Sequence, residues 1–190
     1  MIPHDADALV DKRLPFHAAF RAMISPEHAT TMAAYNRWMN EKLYSLCATL
    51  TDMERKQDTG AFFKSIHGTL NHLLLADRLW LARFNGEAFP VTSLDQELYG
   101  DFDVLRRERV VTDETIERWA ASLSQEDLAG ELAYTTLVNP QPKRLPMWLA
   151  TVHFFNHQTH HRGQLTTLLS QRGLEPGVTD LPWLPGLASS

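Results

Sequence analysis

Nine histidines occur in 190 residues, and four of them fall between Val152 and Arg162. Histidine titrates near neutral pH and is the commonest metal ligand, so its spacing is the first thing to read. At ~100° per residue, His157 and His161 project from one side of a helix with Gln164, Leu165 and Leu168. Thr159, Arg162, Thr166 and Ser170 project from the other. Both histidines thus belong to an apolar face that should point inward, where an unpartnered ring is costly to desolvate. Two imidazoles four residues apart can hold one divalent ion, but a stable site takes a third ligand from elsewhere.

An upstream segment offers two third ligands. His72 shares its side with Leu75, Ala76, Leu79 and Arg83, whereas His67 lies about 140° round the helix, near Lys64 and Arg78. Only one can face the same ion, and the less polar side favours His72 slightly. On patterning alone, a site of His72, His157 and His161 competes on equal terms with three core histidines paired to backbone or carboxylates. His153 drifts off the face and suits a place beside the site. His160 lies about 100° round from His161 and suits packing or hydrogen bonding. His4, His17 and His28 fall outside the long helices and read as surface residues.

The elements that must carry these residues are helical. Ser25-Pro26-Glu27 supplies an N-cap, a Pro at N1 and an early acid, and Met32, Tyr35, Met39, Leu43, Leu46 and Leu50 follow at helical steps. Cys47 lies beside that stripe and reads as core. Thr51 to Glu54 reads as a short turn. A second helix is expected over 61–84, stopped by Asn85-Gly86. A third helical region opens at Ser93 with Leu94, Leu98 and Leu105, breaks near Val110-Val111 and restarts at Thr112-Asp113 with Ile116, Trp119 and Leu123. A hairpin or extended loop is expected between Gly130 and Pro146. The last long helix spans 147–172 before Gly173 and Pro176. The Pro-rich tail from Leu181 to Pro185 is unsuited to a helix. The implied architecture is an all-α four-helix bundle over 26–190, with residues 1–25 as an N-terminal extension.

Composition narrows the function. At roughly 150 residues per domain the chain is one domain. Lys plus Arg number 18 against 23 Asp plus Glu, a formal charge of −5, and without a dense basic run this disfavours nucleic acid. No stretch reaches the ~18 apolar residues of a membrane span. The first residues do not read as a secretory signal, and the single Cys47 forms no internal disulfide, so the cytoplasm is the expected compartment.

Asn71-His72-Leu73-Leu74-Leu75-Ala76-Asp77-Arg78-Leu79-Trp80-Leu81-Ala82-Arg83 and Phe155-Asn156-His157-Gln158-Thr159-His160-His161-Arg162-Gly163-Gln164 resemble the two signature stretches of the DinB family of damage-inducible metalloenzymes. Tyr35-Asn36-Arg37-Trp38-Met39-Asn40 and Asp180-Leu181-Pro182-Trp183 are also similar to it. The resemblance covers about 32–184. It implies a DinB/YfiT-like four-helix bundle that binds a divalent metal ion, often nickel or zinc, through His72, His157 and His161. It also implies a small-molecule substrate. Some relatives are thiol-dependent S-transferases or isomerases using a low-molecular-weight thiol such as bacillithiol, mycothiol or glutathione.

Three neutral imidazoles leave an ion its full charge and an open position, as in catalytic rather than structural zinc. Such an ion activates water or a thiol, and transfer is favoured over hydrolysis on the resemblance alone. Asn71, Asp77, Arg83, Asn156 and Gln164 are candidates to orient ligands or hold substrate. No Glu stands where an HExxH enzyme would have it, so no general base is named. The competing class is a non-catalytic, metal-stabilised bundle or an interaction protein. Trp148, Val152 and Phe155 form an apolar patch expected to be covered by a second subunit, making a homodimer, or by the hairpin and N-terminal extension. Metal affinity is expected to fall as pH drops through ~6.5.

Overall fold

A computed structural model describes residues 22–137 and 139–187; the N-terminal extension, with His4 and His17, lies almost wholly outside them. The Ser25 hydroxyl accepts from the backbone N–H of His28 and Pro26 occupies the first turn, so α1 (Pro26–Cys47) starts where its capping residues direct. Thr51 and Glu54 close a reciprocal capping box, which turns the expected tight turn into a five-residue helix, α2 (Asp52–Lys56).

The next helix starts later than its apolar composition suggests. Lys64 has a left-handed φ of 65°, and Ser65 caps α3 (Ile66–Phe84) by accepting from Gly68 N–H. Gly68 is needed there, because a Cβ would stand 2.1 Å from the carbonyl oxygen of Phe63. This close approach folds the Phe63 turn over the first turn of α3.

The third helical region is corrected at both ends. Residues 93–100 form a loop, since the N–H groups of Leu98 and Tyr99 both donate to the side-chain oxygen of Asn71 rather than to a helical ladder. Asp101 then caps α4 (Phe102–Ser122), which runs unbroken through Val110 and Val111. Those two residues face outward, where β-branching costs only a few tenths of a kcal/mol. A second capping box, Ser124 with Asp127, makes the unforeseen α5 (Gln125–Ala129). The expected hairpin is present as β1 (Glu131–Thr135) antiparallel to β2 (Pro142–Pro146), with Leu132 opposite Leu145. α6 (Met147–Ser170) follows directly, and Gly173 takes up a left-handed φ just beyond it. In the tail, Leu181–Trp183 makes one 3-10 turn, and the Tyr35 hydroxyl donates to the carbonyl of Thr179 at 2.6 Å.

α1 and α3 each pack against both α4 and α6, closing the four-helix bundle. Its interior has three layers. One apolar layer gathers Met39, Leu43, Leu70, Leu74, Leu105 and Leu165, and another gathers Trp80, Ile116, Trp119, Phe154 and Phe155. Between them in sequence on α3, α4 and α6, and joined by Asn36 and Asn40 of α1, lies a buried polar layer with Asp77, Arg109, Asp113, Gln158 and Arg162. Arg109 reaches Asp77 at 2.6 Å and Asp113 at 2.9 Å. Asn36 and Asn40 donate to Asp113, Gln158 donates to Asp77, and Arg162 donates to Asn36.

Arg162, expected on the outward stripe, is therefore buried: it donates to Asn36 of α1 and to the Thr159 hydroxyl of its own helix, with Asp77 and Asp113 acting on it at longer range. Asn36 and the two carboxylates are partners on other helices that periodicity along one helix cannot reveal. In the aromatic patch, Trp148 and Val152 are half-buried. Phe155 is buried against the chain's own Trp119 in the second apolar layer, so its burial requires no second subunit. No helix among the described residues is long and apolar enough to cross a membrane.

Removing one partner from a buried ion pair leaves the other uncompensated. Asp77→Ala is expected to lower stability by about 3–5 kcal/mol in urea unfolding at pH 7. Glu117→Ala, which deletes a partly exposed partner of Arg37, should cost under about 1 kcal/mol. Equal losses from the two variants would contradict the polar layer as a major contributor.

Candidate metal centre

His72 sits mid-way along α3, and His157 and His161 occupy successive turns of α6. One ring nitrogen from each lies within 4.8 Å of the other two. The His72 and His161 ring centroids are 4.5 Å apart, those of His157 and His161 4.4 Å, and those of His72 and His157 5.2 Å. Phe63, brought over α3 by the turn at Gly68, stacks on His72 at 3.8 Å between centroids.

The hydrogen bonds fix which nitrogens face each other. His72 Nδ1 lies 2.8 Å from the carbonyl oxygen of Leu94, which only accepts, so Nδ1 carries the proton and Nε2 the lone pair. His161 Nδ1 likewise donates to Gln164 Oε1 at 2.8 Å, and the Gln164 amide in turn donates to His160 Nε2. The two Nε2 lone pairs then confront each other at 3.2 Å, with no proton between them. Burial keeps the rings neutral: it pushes His72 down to about 4 and His157 down to about 3, with the neighbouring imidazoles adding to the effect, and it lowers His161 too. Converging lone pairs with no shared proton suit a cation. Their separation is close to the ~3.3 Å expected between donors around a tetrahedral ion with bonds of about 2.0–2.1 Å. The site can therefore hold a metal ion.

The remaining residues take varied places. His67 is buried apart from the cluster, with Nε2 donating to the Tyr99 carbonyl at 2.9 Å. His153 stands beside the site, its ring 6.0 Å from that of His157, and His28 is exposed. Asn71 holds the loop that brings Leu94 to His72. Asp77 belongs to the polar layer, Asn156 is exposed, and Gln164 orients His161. Phe63 and the Leu94 carbonyl were not anticipated. The pairing of Ser65 as a cap with Gly68 is the one local signal that could have excluded Phe63 from the helix. A cleft of about 780 Å³ opens onto the cluster, walled by Phe62, Phe63, Leu94 and Leu137.

The DinB family model matches residues 23–188. The chain belongs to the DinB family. Among family members, Protein DinB of Bacillus subtilis (strain 168) is 24% identical over 159 residues, covering 81% of this chain and 91% of the relative. The crystal structure of a DinB-like protein from Bacillus cereus ATCC 10987 shares the fold, with a TM-score of 0.54 and 22% identity over 74% of this chain and 91% of that one.

For a DinB fold with neutral imidazoles held this way, the acid response shifts. The fall in metal affinity expected near ~6.5 moves to lower pH, because the folded rings resist protonation. Stability of the metal-free protein follows the same shifts. The unfolded chain takes up protons on these histidines below ~6.5 while the folded chain does not until about 4 and about 3, so stability falls as pH drops through that window. In urea unfolding of chelator-treated protein between pH 7.5 and 4.5, His157→Gln should show a shallower decline than wild type. A decline of unchanged slope would count against a depressed His157.

Proposed function

We propose that the chain is a divalent-metal-dependent enzyme, holding nickel or zinc through His72, His157 and His161 and joining a low-molecular-weight thiol through its sulfur to an organic electrophile, with the thiol proton lost to solvent and the electrophile's leaving group departing as the C–S bond forms. The observation that carries this reading is the cleft that opens directly onto three imidazoles. Structural zinc sites are closed by four protein ligands, whereas catalytic ones have three and an open position. When bound, the ion supplies a Lewis-acidic centre that favours the deprotonated form of a thiol or water.

The chain's own residues prepare that centre. The Leu94 carbonyl and Gln164 fix the tautomers of His72 and His161, as hydrogen-bond partners of metal-ligating histidines do. Phe62, Phe63, Leu94 and Leu137 offer apolar walls that suit an organic substrate better than a bare water, which favours transfer over hydrolysis. Cys47 is buried and pushed up to about 12 by desolvation, so it does not compete as a nucleophile. The cytoplasm, where such thiols stay reduced, is the proposed compartment.

Elemental analysis of untagged protein is the direct test. About one nickel or zinc ion per chain is expected in wild type, and near none in His72→Ala or His157→Ala. Thioether formation should then require the loaded protein. Wild type that takes up no metal after incubation with either ion would overturn the reading.

A further inference from the structure

The cleft does not end at the three histidines. A second chamber of about 340 Å³ continues along α3 and α6, sharing His72, Leu94, Leu137 and His157 with the first. At its far end stands Arg83, in the last turn of α3. Its guanidinium carbon lies 4.7 Å from the Trp80 ring centroid and 4.5 Å from that of Tyr134. Those contacts seat the group against two rings that are themselves 5.4 Å apart, and among the described residues its N–H donors make no hydrogen bond. No Asp or Glu lines this chamber, and among the described residues Arg83 forms no ion pair. A half-buried guanidinium seated over two adjacent rings, with donors that no described residue engages, has the geometry for bidentate capture of a carboxylate. The opposite end of the cleft carries Asp95, close enough to act on His72, so an anionic group is repelled there and drawn to Arg83.

We propose that Arg83 is a carboxylate-binding subsite, and that the thiol used at this site is an elongated organic acid with its carboxylate on Arg83 and its sulfur at the histidines. The sulfur end rests on the proposed metal function; the carboxylate end rests on Arg83 alone. Eleven residues of helix separate His72 from Arg83, roughly 16 Å between Cα atoms. The Arg83 side chain leans back toward the start of the helix, which leaves a span of about 10 Å for the ligand. Trp80 and Tyr134 would flank the carboxylate end, and His153, whose ring lies 4.9 Å from that of Trp80, would line the path between.

The test uses 8-mercaptooctanoate and 8-mercaptooctanol, equal in length and differing in charge, titrated calorimetrically into cobalt-loaded full-length protein. Wild type should bind the acid about tenfold more tightly than the alcohol. Arg83→Gln should reduce that preference to less than about twofold, and Arg83→Lys should restore part of it. Cobalt content and the cobalt–thiolate absorption band should be unchanged in both variants. No preference in wild type, or a preference that survives Arg83→Gln, overturns the subsite. If the protein fails to load cobalt, the metal reading fails separately. Octanoate against octanol in metal-free protein then decides Arg83 by the same criterion.

Discussion

Two carboxylates and two guanidiniums, with three amides, meet in the middle of the bundle, and every one of the four long helices contributes at least one of them. Their charges cancel, but cancellation alone does not make burial tolerable. Each charge must be held near its partners, because the interior returns the desolvation cost only when the geometry is good. Asp77 satisfies this through Arg109 and Gln158, and Asp113 through Arg109, Asn36 and Asn40. A helix that slid by one turn would separate these partners, whereas an apolar core of leucines would tolerate the slip at smaller cost. The layer therefore acts as a register lock on top of the packing of the two apolar layers.

The register so fixed is the one that the histidines need. Asp77 lies five residues beyond His72 on α3, and Gln158 follows His157 on α6. The hydrogen bond between Gln158 and Asp77 thus ties the two ligand-bearing helices together about one turn from the imidazoles. A second constraint comes from outside the bundle. Asn71, next to His72, holds the backbone of the following loop, and that loop presents the Leu94 carbonyl to His72. Neighbouring residues on one helix turn therefore set the ring and position its hydrogen-bond partner.

Much of this was legible along the chain and some was not, for definite reasons. Ser25-Pro26, Gly173 and the apolar stripe of α1 act through local geometry, so the helices they bound could be read without neighbours. The same holds for the i,i+4 pair His157 and His161. The choice of His72 over His67 rested on a slight difference in polarity and became firm only with the family resemblance, because α3 is apolar around most of its circumference. Residues 93–100 misled because Gln96 accepts from Thr92 N–H, four residues back, instead of closing a helix cap with Ser93, and Asn71 on another element takes the N–H donors of Leu98 and Tyr99. Arg162 misled for the same reason. A charge looks solvent-facing until its partner is brought beside it: Asn36, which accepts from Arg162, lies 126 residues away in sequence.

The position of the cluster at the edge of the buried face follows from competing demands. Deeper burial, as for Arg162 and Gln158, would close the cleft and leave no room for a ligand. Full exposure would let the rings titrate near their ordinary value and would hydrate the lone pairs. At the edge, desolvation from α3 and Phe63 holds the imidazoles neutral while the cleft leaves one side open. Converging lone pairs of this kind weaken the fold when nothing lies between them. A cation bound there would add to stability by removing that repulsion and by joining α3 to α6, the same two helices that the Asp77–Gln158 hydrogen bond already joins.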